Sequence, residues 1–121
     1  MRFDHVAVPA KNLLESVEWY KAKFGASVLY QDDTWAFLQL GGTKIALLGT
    51  GKHPPHFAVS LTQEALADAA EAAGKSVDSH RDGTRGIYIY DPSGNAIELI
   101  SYPPGETVYA KSAKAAEKSG I

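Results

Sequence analysis

The chain has 121 residues, of which 45% are hydrophobic and 21% charged, and a net charge of −2. That is enough apolar material for one folded domain with its own core, and the near-neutral balance argues against nucleic acid or an anionic membrane as a partner. Cysteine is absent, which excludes disulfides, thiolate catalysis and cysteine-ligated zinc; no apolar run approaches the roughly 18 residues of a spanning helix, and no signal peptide is visible before the first strand, so a cytoplasmic location is expected.

"RFDHVAV" alternates and is rich in Val and Phe, which predicts a strand. In "KNLLESVEWYKAKFG", Leu13, Leu14, Val17, Tyr20 and Phe24 recur at a helical period. Asn12 with Glu15 suits a capping box, and Gly25 supplies the stop. "SVLYQ", "TWAFLQL" and "KIALLG" predict three short strands, the last two joined through Gly41 and Gly42. After "TGKHPP" the order begins again. "HFAVSL" is a strand, and "TQEALADAAEAAGK" is a helix opened by Thr62 and closed by Gly74. "SVDSH", "GIYIYD" and "NAIELIS" are strands, the last two joined by a turn at "DPSG". Residues 103–121 leave the pattern as a tail, with a short helix predicted over 106–118.

Strand–helix–strand–strand–strand therefore occurs twice. His5-Val6-Ala7-Val8 matches His56-Phe57-Ala58-Val59, Gly25 matches Gly74, and "GGTKIAL" matches "PSGNAIEL". An α+β domain over residues 1–102 is expected, with one module at 1–50 and a second at 55–102. Two sheets that each bury one face are expected to pack or curl together.

Three polar residues stand out on these strands. Glu98 sits in the run "AIELI", where side-chain alternation groups it with Ala96 and Ile100. Little of that strand offers a solvated face, and a buried carboxylate without a partner costs several kcal/mol. His5 and His56 open equivalent strands of the two modules, each with a small neighbour, Ala7 or Ala58, on its own face. Either histidine alone is an ordinary surface or core residue. Two imidazoles and one carboxylate converging on a divalent cation give Glu98 its partner, and they make the two-His-one-carboxylate set of non-haem iron and zinc sites.

At these residues the sequence resembles the vicinal oxygen chelate superfamily, which includes glyoxalase I, extradiol dioxygenases, methylmalonyl-CoA epimerase, fosfomycin-resistance transferases and bleomycin-resistance proteins. The resemblance covers about residues 1–102 and is carried by "DHVAV", "VEWYKAKFG", "PHFAVSL" and above all "YDPSGNAIEL". It implies paired βαβββ modules forming a cup-shaped mixed sheet around a divalent metal (Fe, Mn, Ni, Zn or Co). The family's ligand positions fall here on His5, Ala46, His56 and Glu98. Alanine cannot bind metal, so three protein ligands remain: His5, His56 and Glu98. Tyr88 matches a tyrosine that contacts substrate in the dioxygenases and fosfomycin enzymes, and with Glu98 it is the expected catalytic residue. Fosfomycin itself is a weak candidate, because Ala7 replaces a polar residue and "DSHRDGTRG" lacks the potassium- and phosphonate-binding loop.

The expected activity is that of a small metal-dependent lyase, isomerase or dioxygenase chelating a small oxygen-rich substrate through two oxygens. The alternative is a metal-free protein that sequesters a ligand or drug, as bleomycin-resistance members do. The resemblance further implies a homodimer in which His5 meets His56 and Glu98 across the subunit interface. His53 and His80 fall in predicted loops and are assigned no role. Trp35 and Phe37 line or fill the cup. Arg81 and Arg85 either hold an anionic group or are solvated, with solvation favoured. "GGTKIALLGTGK" lacks the spacing and following helix of a phosphate loop.

Overall fold

Strand β1 (Arg2–Pro9) is followed by helix α1 (Leu13–Phe24) and strands β2 (Ser27–Gln31), β3 (Trp35–Leu40) and β4 (Thr43–Leu48). The order repeats in β5 (His56–Ser60), α2 (Gln63–Ala73), β6 (Asp78–Ser79), β7 (Arg85–Tyr90) and β8 (Ala96–Ser101). This computed structural model describes residues 1–80 and 82–103. Arg81 and the helix expected over 106–118 lie outside the described residues. No helix among those described is long and apolar enough to cross a membrane.

The helix ends form where local chemistry dictates. The Asn12 side chain accepts a hydrogen bond from the Glu15 amide at 3.1 Å, and the Thr62 hydroxyl accepts one from the Ala65 amide at 3.1 Å. Both helices end on a glycine in the left-handed region, Gly25 at φ 65° and Gly74 at φ 68°, a conformation that costs other residues about 1–2 kcal/mol. One strand is much shorter than its sequence suggests. "SVDSH" pairs with β7 only through Asp78 and Ser79. Both are exposed at the sheet edge, so this stretch has no apolar face to extend the pairing, and the chain turns back at once, with the His80 amide donating to the Thr84 carbonyl at 2.8 Å.

All eight strands form one mixed sheet in the order β2-β3-β4-β1-β5-β8-β7-β6. Within each half the first and last strands pair in parallel, β1 with β4 and β5 with β8. The halves join edge to edge where β1 and β5 run antiparallel. The two modules thus share a single sheet, whose apolar side chains need cover on both faces. Helices do that work on one side: α1 packs on β3 and β4, and α2 on β7 and β8. Val17 meets Leu38, Ile45 and Leu47 under α1, while Leu66 and Ala70 meet Ile87 under α2. Leu38, Leu47 and Leu66 are fully buried, each contributing about 1.5–3 kcal/mol. The opposite side carries Ala7, Phe37 and Ala46 as its own apolar cluster, and this is the side that holds the site.

Candidate metal centre

Strand register places the polar residues of the cup. Pairing across β1, β5, β8 and β7 gives the row His5–Ala58–Glu98–Tyr88. The next row along the strands is Ala46–Ala7–His56–Ala96. Histidine and carboxylate therefore alternate with alanine from strand to strand. The alanine methyls leave room for the longer side chains to lean toward one point. His5, His56 and Glu98 each offer one ligand atom there, all within 4.8 Å of one another. Tyr88 lies directly opposite Glu98 across the β7–β8 pair, a register that alternation could not carry through the "DPSG" turn.

The three residues are buried, with exposures of 6% for His5, 9% for His56 and 6% for Glu98. Each imidazole has its Nδ1 hydrogen committed to an acceptor. His5 Nδ1 donates to Asp4 Oδ2 at 2.6 Å, and His56 Nδ1 donates to the Pro54 carbonyl at 2.7 Å. In the neutral ring the other nitrogen then carries a lone pair. Both Nε2 atoms face the same oxygen, Glu98 Oε1, at 3.5 Å. Three acceptors thus converge in a buried pocket, a set that one cation would satisfy together.

Asp4 is turned in beside His5 by an irregularity in β1. The register against β5 shifts between Phe3 and His5, so Asp4 departs from simple alternation. Lys44 Nζ holds Asp4 Oδ1 at 3.0 Å, and the Tyr102 hydroxyl donates to Asp4 Oδ2 at 2.7 Å. Burial pushes the Asp4 carboxyl upward, but the hydrogen bond to His5, the Lys44 charge and Tyr102 outweigh it and hold it below its usual range. Burial lowers His56, yet the Glu98 carboxylate and the Pro54 carbonyl more than reverse this and raise it. Tyr88 is held firmly as the neutral phenol by burial, then by the Glu98 charge and Tyr90.

Around the three residues is a cavity of about 250 Å³. Module one supplies an aromatic wall. Tyr30 and Trp35 have ring centroids 5.2 Å apart, and Trp35 and Phe37 5.5 Å apart. Phe37 also meets the His5 ring edge-on at 5.2 Å. Ala46 lines the cavity with only a methyl group. Module two supplies a polar wall that includes His80, Asp82, Thr84 and Tyr88, and His53 joins it from the segment between the modules.

Several expectations change here. His5 meets His56 and Glu98 within one chain, because β1 and β5 are hydrogen-bonded neighbours; no subunit interface is needed to assemble the three. His53 and His80, given no role from sequence, both line the cavity. His53 Nδ1 is 3.1 Å from the Tyr88 hydroxyl, and His80 Nε2 is 3.9 Å from Glu98 Oε2. Their loop positions gave no periodic signal. Arg85 shares the α2 side of β7 with Ile87 and donates to Gln63 Oε1 at 3.1 Å, away from the cup.

This arrangement of fold and site defines a glyoxalase-type protein. The family model described as Glyoxalase/Bleomycin resistance protein/Dioxygenase superfamily matches residues 2–99, and the chain belongs to that superfamily. Among solved structures, methylmalonyl-CoA epimerase from Mycobacterium tuberculosis is similar with a TM-score of 0.66 and 17% identity, over 85% of this chain and 89% of that one. The hypothetical protein BH1468 from Bacillus halodurans C-125 has a TM-score of 0.69 and 16% identity, over 84% and 94%. Streptomyces coelicolor methylmalonyl-CoA epimerase, in complex with 2-nitronate-propionyl-CoA, has a TM-score of 0.63 and 19% identity, over 84% and 97%. These likenesses are of fold. No curated protein matches the sequence.

Proposed function

We propose that the protein is a divalent-metal-dependent enzyme in which His5, His56 and Glu98 hold the ion. The observation that carries this is the acceptor set itself: two tautomer-fixed Nε2 lone pairs and a buried carboxylate oxygen aimed at one point. These donors suit Zn, Fe(II), Mn(II), Ni(II) or Co(II). Such an ion, when bound, supplies Lewis acidity and open positions for two adjacent oxygens of a small substrate.

The chain's own residues do the rest. Asp4 and the Pro54 carbonyl hold the two imidazole planes, as outer partners of metal-binding histidines do. Ala46 leaves its side of the site open, where a fourth protein ligand would close it. The Tyr30–Trp35–Phe37 wall excludes water and packs the apolar part of a substrate. Tyr88, kept protonated, is a hydrogen-bond donor at the rim beside Glu98. The reaction class follows as proton transfer or ring cleavage on an oxygen-rich molecule small enough for the cavity, with no nucleic acid or membrane partner.

The test uses Co(II) and acetohydroxamate, a small ligand that chelates through two adjacent oxygens. Co(II)-loaded wild-type protein is expected to change its visible spectrum on adding acetohydroxamate, and His56→Ala protein is expected to show no such change. Wild-type protein that takes up Co(II) but leaves its spectrum unaltered with the ligand would overturn chelation at an open site.

A further inference from the structure

His80 is fixed in orientation and tautomer by a chain of three hydrogen bonds. Asp82 Oδ1 accepts from the Thr84 hydroxyl at 2.7 Å and from the Thr84 amide at 2.9 Å. A hydroxyl has one hydrogen, and an ionised carboxylate can only accept. The Thr84 hydrogen is therefore spent on Asp82, and its oxygen must accept from His80 Nδ1 at 2.8 Å. Thr84 is 0% exposed, so water does not compete for this arrangement. The backbone closes the same turn, with the His80 amide on the Thr84 carbonyl at 2.8 Å and the Gly83 amide on the His80 carbonyl at 3.0 Å.

With Nδ1 a donor, the neutral ring presents a lone pair at Nε2. That atom faces Glu98 Oε2 at 3.9 Å. The other carboxylate oxygen, Oε1, is the one turned toward His5 and His56. His80 thus stands beside the three-residue set and is not one of the residues that share the 4.8 Å cluster. Gly86 makes the approach possible. A Cβ built there would lie 3.3 Å from His80 Cε1, 3.4 Å from Glu98 Oε2 and 2.9 Å from the Leu99 carbonyl oxygen.

We propose, on the footing of the metal site above, that His80 is the substrate-selecting hydrogen-bond acceptor of the cup. Its Nε2 accepts from an O–H or N–H that the substrate carries next to its two chelating oxygens. The substrate class narrows accordingly: an oxygen pair flanked by a separate N–H or O–H donor, as in a hydroxamate with a free N–H, and not an oxygen pair flanked only by alkyl groups.

The test compares acetohydroxamate, which has an N–H beside its oxygens, with N-methylacetohydroxamate, which lacks it. Both are titrated into Co(II)-loaded protein and followed by the visible spectrum. Wild-type protein is expected to prefer the N–H ligand by about fivefold or more, the worth of one net hydrogen bond. In H80A that preference disappears while Co(II) affinity is retained. T84V keeps the imidazole but removes the hydroxyl that orients it, so the preference falls there too, and T84S restores it. An ¹⁵N spectrum of the wild-type imidazoles is expected to show His80 as the Nδ1–H tautomer. Equal preference in wild type and H80A overturns the inference and leaves the metal site standing. Loss in H80A but full preference in T84V also overturns it, by reducing the effect to steric room. Failure of wild-type protein to bind Co(II) overturns both.

Discussion

Asp4 lies one residue before His5, and its carboxylate takes the Nδ1 hydrogen at 2.6 Å while Lys44 and Tyr102 hold it in place. Asp4→Ala is expected to weaken metal affinity by about 10- to 100-fold, measured by competition with a chelator, although no ligand is removed. His56 makes a second prediction. Its folded value lies above the ordinary 6.5. A raised value stabilises the metal-free protein fully below 6.5, and that gain is lost as pH rises through the folded value. A cation competes for the same lone pair, so its effect runs the other way. The difference in melting temperature between metal-loaded and metal-free protein is expected to widen from about pH 6 to about pH 8; a constant difference would speak against imidazole ligation. At this scale the sequence made His5, His56 and Glu98 visible as a convergent set because duplication put both histidines at one repeat position and Glu98 broke an apolar strand. Asp4 stayed hidden because strict alternation turns it away from His5, and only the register shift in β1 turns it back. His80 stayed hidden because a loop has no period from which to read a direction.

Among the elements, β7 and β8 are tightly constrained. Gly86 lies under Glu98 and His80, and a methyl group there would press within 2.9 Å of the Leu99 carbonyl oxygen. The obstacle is backbone, so the strands must part. Gly86→Ala is expected to cost about 1–3 kcal/mol in urea unfolding and to lower metal affinity as Glu98 shifts. Affinity and stability at wild-type levels would show that β7 yields more easily than its hydrogen bonding to β8 implies. Element type was legible wherever a period ran for a full turn or several pairs, as in α1 with its Asn12 cap and Gly25 stop. It failed at "SVDSH", where one valine among polar residues at a sheet edge could not sustain a strand beyond Asp78–Ser79.

At the scale of the whole molecule, the repeat determines where the site can be. The halves join along β1 and β5, the strands that carry His5 and His56, and Glu98 lies one strand further on. A metal held there ties module one to module two across their seam. The repeat was legible from offsets such as "HVAV" and "HFAV". The joining of the modules within one chain was not, because edge-to-edge pairing of β1 with β5 and pairing with a second copy bury the same residues and leave the same pattern. The most direct measurement is metal content by mass spectrometry on untagged protein, wild type beside Glu98→Ala. About one equivalent of a transition metal per wild-type chain, lost in the variant, is the expected result. No metal in either protein after reloading would contradict the metal centre and leave the cup as a metal-free binding site.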